Sequence, residues 1–366
     1  MGALLVLWAV LAPGFRAPDE PQHYNSVMRL ATGGGWPSPG AARVSDATLI
    51  ATREAGLTRD DTGIAVLTSS ILPRGTLQGW GYNFVDIVPI EPGDRSVLDH
   101  TATLLSAVEP TYDQMTQHPP LYYALAAGVV RLFGAVDWRW DQQLLLLRLF
   151  SAVLAVWVVP LTAMTAHTLT GRRDVAVASA VSVAAVAQFA HINASVTNDS
   201  LVNVLGAIVV WLSARALMSG PTRRLVMAAG IVLGLGLLTK GFVLAAIPLV
   251  ALAFLLGSRG SVPFLARAVA AFGALSIALL VGGWWWLRNL LVHGTVQPSG
   301  MPPGGYTWGD ETPTLGEFGR EASLRLSGSF WGNFGWLEIP LPRTLYVTLT
   351  VLSLAAIAVA LSVNLV

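Results

Sequence analysis

The stretch Arg16-Ala17-Pro18-Asp19-Glu20-Pro21-Gln22-His23-Tyr24 follows a short apolar run from Gly2 to Phe15. It sets two adjacent carboxylates, Asp19 and Glu20, and a histidine, His23, where the chain leaves a membrane. Ionisable groups at that depth are costly, and they mark functional sites by default. The rest of the chain reads as the enclosure of that point. A bilayer span needs ~20 apolar residues, so residues 1–15 read as the remainder of a first transmembrane helix whose start lies upstream. A signal peptide is the competing reading, but the run has no basic n-region, and Ala12-Pro13-Gly14-Phe15 makes a poor cleavage site.

Composition supports this setting. Hydrophobic residues make up 54% of the 366 residues and charged residues 12%, with a mean hydropathy of +0.60. Charge is about half the ~25% of ordinary soluble domains, so the class is an all-α polytopic membrane protein. The absence of cysteine excludes disulfides, thiol chemistry and cysteine metal sites, and leaves the compartment open. Lys240 is the one lysine among 22 basic residues, and the Ala/Val/Arg-rich composition suggests a high-GC bacterial genome.

From Arg16 to Gln143 the chain is polar and rich in Gly, Pro and acids, and reads as one large extramembrane loop (residues 16–143). Inside it, His118-Pro119-Pro120-Leu121-Tyr122-Tyr123 opens an apolar segment that runs to Gly134. Its length and aromatic start suit a helix lying in the membrane interface. Spans are expected at about Leu144–Thr170, Val175–Ser195, Leu201–Met218, Leu225–Thr239, Gly241–Leu256, Ala268–Leu287 and Tyr346–Val366. The transmembrane core is thus 144–288, followed by a second outer loop, 289–343, and a last helix, 344–366, which ends without a polar flank and reads as truncated. No fixed-period repeat or low-complexity tract is present.

If each segment crosses once, Arg172, Arg173, Arg215, Arg223, Arg224, Arg259 and Arg267 fall on one face. The positive-inside rule makes that face cytoplasmic, and only Asp174 of the 21 acids lies there. Asn198, Asp199, Lys240, Arg288 and the second loop fall on the other. The first loop joins that outer face only if the His118 segment does not cross, which favours the interfacial reading.

Each polar group has a structural and a functional explanation. Lys240, in Leu237-Leu238-Thr239-Lys240-Gly241, sits between two short apolar runs that would hold it below the outer surface. A buried ammonium needs an anion or a wet cavity; snorkelling is the alternative to phosphate binding. Arg288 ends Trp284-Trp285-Trp286-Leu287-Arg288-Asn289 and is either a belt anchor or a phosphate ligand. Arg148 faces the same choice against an ion pair with an acid of the first loop. Asn198 and Asp199 end a polar ladder of Gln188, His191, Asn193 and Thr197, as helix cap, site residues or both. His118 either starts its helix beside Pro119 and Pro120 or binds phosphate, and Asp19 and Glu20 either stabilise a helix start or act chemically.

One lysine, two arginines, an Asn-Asp pair and two acids on one face suit transfer from a lipid-anchored phosphate. Cations would neutralise the leaving phosphate while a carboxylate deprotonates an acceptor hydroxyl. Walker loops, dinucleotide fingerprints, HExxH and GxSxG are absent, and the basic residues form no nucleic-acid patch.

The Pro-Asp-Glu after the first span, His-Pro-Pro-Leu-Tyr-Tyr, Arg-Leu-x-Ser, Asn-Asp-Ser-Leu, Leu-Thr-Lys-Gly and Trp-Leu-Arg-Asn occur in the order seen in the GT-C superfamily. The chain thus resembles the protein O-mannosyltransferases and aminoarabinose transferases from Asp19 to Asn289. The later Ser329-Phe330-Trp331-Gly332-Asn333-Phe334-Gly335-Trp336 resembles a less characterised bacterial branch. The resemblance implies a GT-C-like helical bundle with interfacial helices in its first outer loop. It also implies Asp19 as general base with Glu20 beside it, Lys240, Arg288 and His118 on the lipid phosphate, and Asp199 helping to position the site. Where aminoarabinose relatives have a lysine before Pro-Pro, this chain has His118.

The expected function is transfer of a sugar from a polyprenyl phosphate to a glycan or protein acceptor of the cell envelope, outside a bacterial cytoplasmic membrane. Family analogy adds inversion at the anomeric carbon. The expected catalytic residues are Asp19 and Glu20; His23, His118, Arg148, Asn198, Asp199, Lys240 and Arg288 would bind substrate. No cofactor is expected beyond the lipid-linked sugar, and metal independence is favoured, although oligosaccharyl-type relatives need a metal. Expected partners are membrane lipids, lipid-linked sugar and acceptor, with no nucleic acid. The second outer loop, with Tyr306, Trp308, Phe330, Trp331 and Trp336, would cover the pocket, its aromatics either stacking on sugar or sitting in the interface. The rival readings are a lipid-linked sugar transporter or flippase and a non-catalytic subunit of an envelope polysaccharide complex; no inverted repeat favours the transporter.

Overall fold

The computed structural model describes residues 1–57, 88–100, 112–257, 262–301, 314–337 and 339–363. Among these, three helices are long and apolar enough to cross a bilayer: Trp140–Thr170, Asp199–Ser219 and Phe264–His293. A fourth span follows if the bent pair Arg173–Ala184 and Ala187–Asn193, which meet at 63°, counts as one. The protein is therefore a helical membrane protein. The span expected at Val175–Ser195 is this broken pair, and the one at Ala268–Leu287 is the middle of a longer helix.

In chain order the helices are α1 (Gly2–Leu11), α2 (Glu20–Ala31), α3 (Asp46–Glu54), α4 (Leu121–Leu132), α5 (Trp140–Ala155), α6 (Val158–Thr170), α7 (Arg173–Ala184) and α8 (Ala187–Asn193). There follow α9 (Asp199–Ser219), α10 (Arg223–Leu237), α11 (Ala246–Leu256), α12 (Phe264–Ala278), α13 (Trp284–His293), α14 (Leu315–Trp331) and α15 (Arg343–Val363). The described strands are β1 (Asn333–Phe334) and β2 (Ile339–Pro340), an antiparallel pair with Asn333 opposite Pro340.

Two ends of the bundle differ in chemistry. At one, α6 turns into α7 through Gly171, whose φ of 68° is the left-handed cap that glycine takes without penalty. Here Arg172 pairs with Asp174, and α9 turns into α10 before Arg223 and Arg224. Arg259 lies outside the described residues.

The other end carries the loop layer. Helix α4 packs against α2 and α5. Its Arg131 donates to the α2 C-terminal carbonyls of Ala31 (2.8 Å) and Leu30 (2.6 Å). At the start of α4 the Leu121 amide donates to Leu238 O at the end of α10 (3.2 Å). With 12 residues, α4 is ~18 Å long, too short for a ~30 Å hydrocarbon core. It leaves Leu125, Leu132 and Phe133 exposed.

Helix α10 is also short, at 15 residues, or ~22 Å. It packs closely on α12, where a Cβ on Gly282 would lie 1.9 Å from Gly234 O. Immediately there, at Leu279–Gly283, the chain takes a π-helical turn before α13, a local insertion that re-aims the following residues. The short α10 ends in a turn at which Thr239 is fully buried.

Within residues 289–343 the described chain includes a helix that the loop reading did not expect. Residues 315–331 form α14, started by a reciprocal cap between Thr314 and Glu317. Trp331 Nε1 donates to Thr350 on α15 (2.9 Å), and Trp336 Nε1 donates to Phe15 O (2.8 Å). Both indoles thus join elements, and Phe330 is exposed on α14. Tyr306 and Trp308 lie outside the described residues.

Candidate active site

Asp19 and Glu20 part at the backbone. Asp19 has φ 58° and ψ 9°, left-handed values that Asp tolerates better than most residues. Helix α2 starts directly after it with Pro21 in the first turn. The result buries Glu20 completely and leaves Asp19 half-buried.

Glu20 Oε1 accepts from Arg148 Nε (2.8 Å) and the Val196 amide (3.0 Å), and Oε2 accepts from Arg148 Nη2 (2.7 Å). Arg148 also donates to the carbonyls of Ala9 (3.3 Å), Ala12 (2.7 Å) and Pro13 (2.9 Å). A buried ion pair is tolerated when its remaining hydrogen-bonding capacity is met in this way. The expectations that Arg148 binds substrate and that Glu20 shares in catalysis are therefore corrected. The two form a saturated clamp joining the end of α1, α5 and the segment before α9.

Asp19 points elsewhere. Its Oδ1 accepts from Gln114 Nε2 (3.1 Å), and among the described residues no cation is bonded to it. Burial raises its pKa above the ordinary carboxylate value, opposed by the charge of Lys240 and reinforced by that of Asp199. A carboxyl with a raised pKa that is still within reach of an ammonium is a better proton acceptor than an exposed one.

Lys240 Nζ lies 2.5 Å from Asp199 Oδ1, and the two side chains are 15% and 33% exposed. Contacts that hold this turn include the Leu121–Leu238 bond, Trp286 Nε1 donating to Leu237 O (3.0 Å) and Asn198 Nδ2 donating to Thr239 O (3.5 Å). Asn198 is fully buried, and its Oδ1 has no hydrogen-bond partner.

The two histidines join from the loop layer. His118 is buried with Nδ1 unpartnered. Its pKa is lowered to about 4, first by burial and then by Lys240, with Asp199 opposing. His23 shares a hydrogen bond between Nδ1 and the Tyr123 hydroxyl (2.9 Å). Burial, then Lys240 and His118, holds its pKa well below 6.5. Both imidazoles are neutral at pH 7, each able to offer one N–H and one lone pair.

Four separate segments thus bring Asp19 and His23, Gln114 and His118, Asp199, and Lys240 to one place. A fifth packs over them: a Cβ on Gly300 would meet Gln114 O at 2.2 Å, and one on Gly241 would meet Gln297 Oε1 at 2.8 Å. Arg288 does not join by any bond among the described residues. It is exposed, lies 5.4 Å from the Trp285 ring and donates to Asn289 Oδ1 (3.3 Å). The belt-anchor reading describes that position. Gln114 and Tyr123 carried no strong sequence signal; a polar run four residues ahead of His118 was the only pointer to Gln114.

Among the described residues, no three His, Asp or Glu side chains are grouped to hold a metal ion. What the cluster offers is one carboxylate without a bonded cation, one ammonium already holding a carboxylate, and two neutral imidazoles. No curated protein and no solved structure matches the chain. A family profile described as a predicted membrane protein (DUF2142) matches residues 3–366, and on that match the chain belongs to the DUF2142 family.

Proposed function

We propose that this chain is a GT-C-type glycosyltransferase that moves a sugar from a polyprenyl-phosphate donor to an acceptor of the cell envelope, on the outer face of a bacterial cytoplasmic membrane. The observation that carries the reading is the meeting of Asp19, half-buried with a raised pKa, with Lys240 at the foot of the short α10. In the reaction the acceptor oxygen bonds to the anomeric carbon and its proton passes to an Asp19 oxygen. The bond from that carbon to the phosphate oxygen breaks, and its electron pair stays on the phosphate beside Lys240. Phosphate is a good leaving group, so the protein supplies a base and a cation and needs little acid catalysis.

The reading takes Lys240 as its cation. Arg148 is spent on Glu20, and Arg288 sits on Trp285. His118 adds a neutral hydrogen-bonding group where the aminoarabinose transferases that the chain resembles have a lysine. A cavity of about 490 Å³ between α1 and the β1–β2 hairpin, lined by Leu4, Leu7, Trp8, Leu11 and Phe334, also has Arg16 on its wall. Its size and apolar lining suit a hydrocarbon chain.

The test is transfer of radiolabelled sugar from a panel of polyprenyl-phosphate donors to envelope acceptors, comparing the wild type with Asp19→Asn at matched membrane expression. Loss of transfer with donor binding retained is the expected result. Full activity of Asp19→Asn in cells would overturn the base assignment and favour a transporter. Tolerance of alanine at both Asp19 and Lys240 in folded protein would favour a non-catalytic subunit.

A further inference from the structure

The ammonium that the proposed reaction needs is not waiting for a ligand. Lys240 Nζ is in contact with Asp199 Oδ1 at 2.5 Å, and Lys240 is the chain's only lysine. Asp199 is itself a third exposed, lies at the first residue of α9, and has solvent to move into. Within the same cluster Asp19 is a second carboxylate, and both imidazoles are uncharged. The described residues therefore put two negative groups around one positive one.

We infer that Asp199 is an internal competitor for the anion site on Lys240, so that a phosphate headgroup binds by displacing this carboxylate, and that Asp199 sets which anions the pocket accepts. The inference rests on the phosphate-donor reading above. An ammonium has three donors, and one is used by Asp199. A phosphate bound to the other two would bring its negative charge close to the carboxylate in a partly buried site, where like charges repel more strongly than in bulk water. The carboxylate must then swing out towards solvent, and only an anion that binds Lys240 better than a fixed carboxylate does can take its place. Carboxylates and other weak anions are rejected by the occupant already there, and phosphate esters are admitted. Specificity of this kind comes from a built-in alternative partner as much as from attraction to the ligand. When the ligand leaves, Asp199 returns and Lys240 is never left buried without a counter-ion, which would be costly.

The experiment is equilibrium binding of a short-chain polyprenyl phosphate to detergent-solubilised wild type, Asp199→Asn, Lys240→Met and the double variant. Asp199→Asn keeps the side-chain shape and removes the charge. The expected result is affinity about tenfold tighter in Asp199→Asn, the equivalent of ~1.4 kcal/mol, with the gain absent from the double variant. Acetate added at high concentration should weaken binding in Asp199→Asn and have little effect on wild type. Unchanged or weaker binding in Asp199→Asn, with Lys240→Met losing binding, would overturn the competitor role while leaving the phosphate reading intact. Wild-type binding by Lys240→Met would sink the phosphate reading itself. If Asp199→Asn folds poorly, Asp199→Ser gives the same comparison. Stabilisation by inorganic phosphate supplies a second readout, expected to be larger in the variant than in wild type because binding to the folded state raises stability by mass action.

Discussion

Asp19 and Glu20 are chemically alike and covalent neighbours, yet one is closed and the other open. Glu20 has a bidentate arginine and a backbone amide, and no exposed surface. Among the described residues Asp19 has one neutral donor, Gln114, and it feels the charge of Lys240. Two adjacent acids therefore need not form a catalytic pair. The number of committed partners separates a carboxylate that holds the fold from one that can still take a proton.

The comparison breaks most sharply on activity. Removing a general base costs about 10²–10⁴-fold in rate, so Asp19→Asn should lose transfer by that factor while keeping its fold. Glu20→Gln in the protein that remains folded should lose far less per molecule. Equal losses in the two variants, measured per folded molecule, would erase the distinction.

Stability should show the reverse order. Arg148→Met leaves Glu20 as a buried charge without its partner, and such breaks cost about 3–5 kcal/mol. Thermal unfolding in detergent should show a large loss for Arg148→Met and Glu20→Gln. For Asp19→Asn it should show no loss or a small gain, because burial opposes ionisation of Asp19.

The pH dependence sharpens this. The folded pKa of Asp19 is raised, so its ionisation costs stability, and that cost appears as pH rises from the unfolded value, ~3.9, through the folded one. His118 works in the opposite direction. Its folded pKa is lowered from 6.5 to about 4, so the stability it contributes is present above about 6.5 and is lost as pH falls towards about 4. A melt series from pH 7 to pH 4 should therefore lose less stability in His118→Gln than in wild type. Transfer should show an acid limb above the ordinary carboxylate range as Asp19 protonates.

Gln114→Leu should have the smallest effect. It removes one neutral hydrogen bond, worth about 0.5–1.5 kcal/mol, and should lower the rate by about tenfold or less without changing donor affinity. A change in affinity alone would place Gln114 on the donor instead of on Asp19.

Sequence made the chemistry of the two bundle ends legible, because charge distribution follows topology and is read without knowing any contact. It also marked the short apolar runs around Lys240 and the short helix at Leu121, since length against bilayer thickness is a local property. The Thr314 and Glu317 cap was legible too, as a capping-box spacing, and it starts a helix that the loop reading passed over. The choice of partners was not legible. Arg148 meets Glu20 across 128 positions and Lys240 meets Asp199 across 41, and nothing in the local pattern says which acid takes which cation. The 63° bend between α7 and α8 falls at Ala185 and Val186, where neither proline nor glycine announces it.

The left-handed backbone at residue 19 has a genetic consequence. Asparagine and glycine are the side chains that accept such φ values most readily in place of aspartate, and each is one nucleotide change from an aspartate codon. The two easiest mutational exits from the proposed base therefore lead to chains that keep the turn, the Glu20–Arg148 clamp and the fold. Lineages in which the activity became dispensable would be expected to carry Asn or Gly at this position on an otherwise intact scaffold.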